Sequence, residues 1–243
     1  MSSKAKFAVP SSIGFHRLSG IAAIGFATMI VVANLIAVPA GLPQTGAGID
    51  EVDAFFSDRT HIVGLTTALT PAAWIMATLF GAGAVTVLWQ SERDRGEAWS
   101  LLGFAGLVLQ NATFAAVVAI RLALTSSTTD DAGTTGLLWS LHDCLFTLNG
   151  TFLALALIGL SIAGRRANLI RRWHGTLGLL SAALLFTSAT LAPLVVDRAG
   201  PLGLFGLVGW LLWVVWIVTY GTVLIRPNKV PRSRRVDPRP ATG

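Results

Sequence analysis

Charge and cysteine are what this chain has least of. Asp, Glu, Lys and Arg together make up 12% of its 243 residues, against roughly 25% in an ordinary soluble domain. The single cysteine, Cys144, excludes an internal disulfide framework and leaves the redox compartment unread. Lysine occurs only at Lys4, Lys6 and Lys229, an arginine bias that we read as composition and not as function. A P-loop, a dinucleotide glycine fingerprint and a zinc-ligand spacing are all missing, because one cysteine and four scattered histidines compose none of them. Neither a catalytic constellation nor a metal or cofactor site is expected, and the reading leans away from an enzyme.

Apolar length takes the place of charge. Hydrophobic residues make up 53% of the chain and its mean hydropathy is +0.67. The charges gather in short clusters between uncharged runs that reach the ~20 residues a membrane-crossing helix needs. Six such spans can be placed, at about 18–40, 62–89, 98–124, 136–163, 175–196 and 202–225. The first is too long for the roughly 7–15-residue apolar segment of a signal peptide, so it is kept as a helix. The expected fold is all-α: a polytopic bundle of six transmembrane helices over 1–225, followed by a basic, proline-rich tail over 226–243.

Fifteen of the 18 Lys and Arg residues fall in the N-terminus, the second–third and fourth–fifth connections and the tail; Arg59, Arg121 and Arg198 fall on the other side. Basic residues are retained in the cytoplasm, so both termini are expected there, as an even number of spans also requires. The expected location is the plasma membrane. The tail "RPNKVPRSRRVDPRP" should meet anionic lipid headgroups and not nucleic acid. On the opposite side the loops are acidic, with Asp130 and Asp131 in the second and Asp50, Glu51, Asp53 and Asp58 in the first. Ile49, Val52, Phe55 and Phe56 recur there at helical spacing. A short amphipathic external helix lying on the membrane interface accounts for that pattern; a lid over a ligand is the alternative.

Other apolar-span features have structural readings. Trp89, Trp99, Trp139 and Trp173 fall near span ends, as in an interfacial aromatic belt. Trp210, Trp213, Trp216 and Tyr220 run along the last span, suited to lipid contact and interhelical packing more than to a flat cofactor. Pro71 and Pro193 should kink the second and fifth spans. The first three spans do not repeat in the last three, which withholds support from an inverted-repeat transporter.

The candidate site is a group of polar residues in the third and fourth spans: Arg121, His142, Asp143, Asn111 and Asn149, with Gln110 beside Asn111. Arg121 lies eleven residues before the centre of the hairpin connection at Ala132, and Asp143 eleven after it. Residues equidistant from a turn between antiparallel helices share a depth, so the two charges are expected to pair just inside the outer boundary. Pairing would reduce the ~2.5–3.5 kcal/mol that a lone charge costs at a helix centre. Such a cluster either locks the hairpin together or lines an outward-facing cavity for a polar ligand, and the first reading is preferred. His16 and His174 at one side and His61 and His142 at the other have the two-and-two distribution of a bis-haem bundle. Haem is nonetheless not expected, since these residues sit at span boundaries and not a turn or more inside.

The stretch "LHDCLFTLNGTFLALALIGLSIAGRRANLIRRWHGTLGLLSAALLF" resembles the later half of a bacterial six-span family known only as a domain of unknown function. Shared features are the Leu-His-Asp segment, a glycine-containing apolar helix, a short turn and a Trp-x-Gly helix start, over about 137–186. The resemblance implies topology and no chemistry. A scaffold or accessory subunit of a membrane complex is therefore the preferred function, with Gly203, Gly206 and Gly209 available for close helix approach. The alternative is a carrier or receptor for a small polar or lipidic ligand, and haem-based electron transfer comes third.

Overall fold

The computed structural model describes residues 14–126, 132–196 and 202–226. The tail beyond Arg226, Asp130, Asp131, Arg198 and the N-terminal lysines lie outside the described residues. All regular structure among the described residues is helical: α1 (Phe15–Ala37), α2 (Ile49–Asp58), α3 (Thr60–Ala68), α4 (Thr70–Arg93), α5 (Trp99–Leu124), α6 (Ala132–Arg166), α7 (Arg172–Thr190), α8 (Ala192–Val196) and α9 (Gly203–Ile225). The longer ones, α1, α4, α5, α6, α7 and α9, stand in a ring. Each packs on the next in chain order, and α9 closes the ring against α1.

Among the described residues, five helical runs are long and apolar enough to cross a membrane: α1, α3 with α4, α5, α6 and α9. The span expected over 175–196 is instead divided. α7 ends at Thr190 and α8 restarts at Ala192, around Pro193. α7 has 19 residues and opens on Arg172, Trp173 and His174, so by itself it falls short of the other five. Pro71 likewise marks a break rather than a kink. α3 stops at Ala68, and Pro71 lies in the first turn of α4, where a missing backbone N–H leaves no bond unmade.

The ring is filled, not hollow. Phe26, Phe80, Leu157, Leu160, Trp216 and Tyr220 are buried in its middle. Phe80 meets Tyr220 edge-on at 5.6 Å and Trp216 at 6.3 Å, and Phe26 meets Trp213 edge-on at 5.5 Å. The aromatic stripe of the last span thus packs inward, and edge-on contacts of this kind add about 0.5–1.5 kcal/mol each beyond the area they bury. Glycine permits the tightest helix pair. A Cβ on Gly159 of α6 would stand 2.3 Å from the Gly103 nitrogen of α5, and one on Gly106 would stand 2.5 Å from the Ala156 nitrogen. The two backbones are in contact, as small residues allow in bilayers. Gly206 and Gly209 are used in the same way within the chain, against Ser188 and Leu185 of α7; only Gly203 of that trio meets open space. Gly206 and Gly209 are therefore not open to a partner helix.

α6 has 35 residues and a length of about 52 Å at 1.5 Å per residue, well beyond a hydrocarbon core of about 30 Å. Arg165 and Arg166 stand in its last turn, and α2 packs on its first turns. Val52, Phe55 and Phe56 of α2 are buried in a satellite core with Ile120, Leu124 and Trp139, while Asp50, Asp53 and Asp58 are exposed. The amphipathic helix expected from sequence is present, but its apolar face rests on α5 and α6 and not on lipid. Trp139 is correspondingly a buried packing residue, not an interfacial anchor.

Candidate functional site

Beneath α2 the polar residues of the hairpin form one hydrogen-bonded chain. Arg121 Nε on α5 donates to His142 Nε2 on α6 at 3.0 Å. An arginine Nε can only donate, so Nε2 accepts and the imidazole proton must sit on Nδ1. That proton points at Asp143 Oδ1, 3.0 Å away. The second carboxylate oxygen, Oδ2, accepts the Gly46 amide at 2.8 Å, reaching across 97 residues of sequence to the loop ahead of α2. A guanidinium, a neutral imidazole and a carboxylate are thereby joined into a unit of no net charge.

Arg121 and Asp143 converge at one depth, as the hairpin count indicates, yet they do not form the expected direct pair. No ion pair among the described residues joins Arg121 to Asp143 directly. The imidazole stands between. Successive residues of a helix differ by about 100° in direction. When His142 faces α5, Asp143 is turned towards the loop that carries Gly46.

The imidazole is also held by its faces. Trp139 stacks on it with centroids 4.3 Å apart and planes 10° apart, and Phe146 lies parallel on the other side at 5.9 Å. These residues sit three and four positions from His142, one stripe of α6, and Phe114 of α5 extends the row at 6.3 Å. His142 is 3% exposed and Asp143 2%; Arg121 is half-buried. An Asp–His pair is how enzymes orient a general base. Here the far nitrogen faces a guanidinium in place of a hydroxyl, thiol or water, so its lone pair is already engaged. The arrangement links α5, α6 and the loop before α2, with the imidazole lone pair taken up by Arg121.

The two asparagines are not brought together. Asn111 Nδ2 approaches the Trp74 carbonyl of α4 at 3.5 Å. The Oδ1 atoms of Asn111 and Asn149 and Gln110 Oε1 are buried without a partner among the described residues. The histidines have separate surroundings. Both ring nitrogens of His142 are bonded within the protein, Nε2 of His174 is on the Trp216 carbonyl at 2.9 Å, and His61 is exposed on α3. Among the described residues no three His, Cys, Asp or Glu side chains gather as metal ligands.

Sequence reasoning missed two participants. Gly46 contributes only a backbone amide, for which no residue-type signal exists. Glu92, in the last turn of α4, is fully buried. One of its carboxylate oxygens accepts the Ser100 amide at 2.8 Å and the other accepts the Ser100 hydroxyl. A carboxylate at the first turn of α5 suits both the free amides and the positive end of that helix. Nearby, Glu97 pairs with Arg166 of α6, whose guanidinium lies 5.6 Å over the Trp99 ring. A glutamate at the end of an apolar span, just before a short turn and a serine, was the available signal for Glu92. No family model matches the chain, and no curated protein or solved structure is significantly similar to it.

Proposed function

We propose that this chain is a multi-pass plasma-membrane protein that crosses the bilayer six times and serves as a scaffold or accessory subunit of a membrane complex. The observation that carries the reading is the closed hydrogen-bonded chain Arg121–His142–Asp143–Gly46 under α2. Its charged groups are engaged with one another, in the pattern of a staple and not of a ligand site. α7 and α8 together supply the sixth crossing. With that count, the fifteen basic residues of one side favour both termini in the cytoplasm. The resemblance over 137–186 to an uncharacterised bacterial six-span family agrees with this topology, and the basic tail adds contact with anionic headgroups.

Native mass spectrometry of the full chain released from mild detergent tests the reading. Further protein chains at fixed stoichiometry are the expected result. A lone chain carrying one small ligand, lost in Asn149→Ala, would overturn it in favour of a carrier or receptor. A haem absorption band from the same sample would overturn it in favour of electron transfer.

A further inference from the structure

The end of the ring opposite α2 holds an open vestibule of about 550 Å³, lined by α4, α7, α9 and the turn 167–171. Val87, Leu169 and Val223 contribute its apolar floor. Its polar lining includes Arg171, Arg226, His174, Asn168 and Ser91, and among the described residues no carboxylate. Two independent observations give it a ligand chemistry.

The first is unbalanced charge. Arg95 and Arg166 at the same end both pair with Glu97, whereas Arg171 and Arg226 have no ion-pair partner among the described residues. The second is the start of α7. Its N-cap is Arg171, in extended conformation (φ −71, ψ 160) and with no side-chain cap, so first-turn amides are left without a side-chain acceptor beside the vestibule. His174, 1% exposed and on the vestibule wall, is anchored by its Nε2–H on the Trp216 carbonyl and offers the anion no donor.

We propose that this vestibule binds a phosphate-bearing anion, with the phosphate between Arg171 and Arg226 at the α7 N-terminus and the rest of the molecule on the apolar floor. Guanidiniums and helix-start amides are the donors that phosphate oxygens take best. The volume falls within the roughly 300–1,000 Å³ of small-molecule sites, more room than inorganic phosphate alone uses. Two sources share this chemistry: the headgroup of an anionic phospholipid, and a soluble phosphate ester.

The test uses the full chain in maltoside detergent, read by tryptophan fluorescence (Trp173 lies on the wall) and by thermal shift. The probes are dihexanoyl phosphatidylglycerol below its micellar concentration, glycerol 3-phosphate, inorganic phosphate and dihexanoyl phosphatidylcholine, with ionic strength held constant by chloride. A saturable response to phosphatidylglycerol alone assigns a lipid headgroup. A response to glycerol 3-phosphate as strong as to phosphatidylglycerol assigns a soluble ester. In either case Arg171→Gln and Arg226→Gln should each raise half-saturation about tenfold, while Arg171→Lys and Arg226→Lys, which keep the charge, fall between. Arg165→Gln, in the neighbouring surface groove, should change it less than about twofold. No saturable response to any probe, or an equal loss in Arg165→Gln, would overturn the proposal.

Discussion

Asp143→Asn replaces one oxygen by an NH2 group and should loosen the whole α2 end. Asp143 accepts two hydrogen bonds at once, from His142 Nδ1–H at 3.0 Å and from the Gly46 amide at 2.8 Å. An amide has a single oxygen. Whichever donor it keeps, its NH2 group confronts the other, and Arg121 loses its counter-charge. A hydrogen bond to a charged group contributes about 1.5–3 kcal/mol, and a buried donor left unmet costs about 1–3 kcal/mol. Arg121 is only half-buried, so water screens part of its loss, and a destabilisation of about 3 kcal/mol is expected. Denaturant unfolding in mild detergent measures the total, and hydrogen exchange over 41–48 should show that segment opening first. The route of the coupling can be isolated too. Arg121→Leu and Asp143→Leu should be non-additive in the native background and additive once His142→Phe has removed the imidazole but kept a ring for the stack. An Asp143→Asn variant as stable as the native chain, or coupling that survives His142→Phe, would refute the reasoning.

Gly159→Ala should destabilise by about 1–3 kcal/mol or more, because its Cβ would stand 2.3 Å from the Gly103 nitrogen; Gly203→Ala, in open space, should be neutral in the same thermal melt. Glu92→Gln leaves one acceptor oxygen for the Ser100 amide and hydroxyl and should cost about 1–2 kcal/mol of unfolding free energy, with exchange rising in the first turn of α5. In a Cys144→Ser background, Ser57→Cys and Asn168→Cys should label with an impermeant maleimide from opposite faces of the membrane; labelling from one face would contradict the spanning assignment.

Some of this architecture could be read from residue order and some could not, for physical reasons. Depth along a helix is countable, so the convergence of Arg121 with the His142–Asp143 pair follows from their distances to the Ala132 turn. Direction around the helix is not: a shift of one residue decides whether imidazole or carboxylate faces α5. The apolar stripe Ile49, Val52, Phe55 and Phe56 announces a helix with one dry face. It does not say whether that face meets lipid or Trp139, since both are apolar. The same ambiguity hides whether Trp213, Trp216 and Tyr220 point in or out. Ring closure depends on Gly20 and Gly221, where a Cβ on each would come within 2.6 and 2.7 Å of the other's carbonyl oxygen. Residues 201 positions apart in the chain carry no local pattern that would reveal it.

If the polar residues under α2 form a closed internal staple, the protonation state of one ring is fixed by it. Nitrogen-15 NMR of histidine-labelled protein in nanodiscs, with His142 assigned by difference from His142→Phe, reports both ring nitrogens. A closed staple requires a neutral ring with the proton on Nδ1, facing Asp143, and a bare Nε2 accepting from Arg121. A proton found on Nε2, in either the other tautomer or an imidazolium, would contradict it.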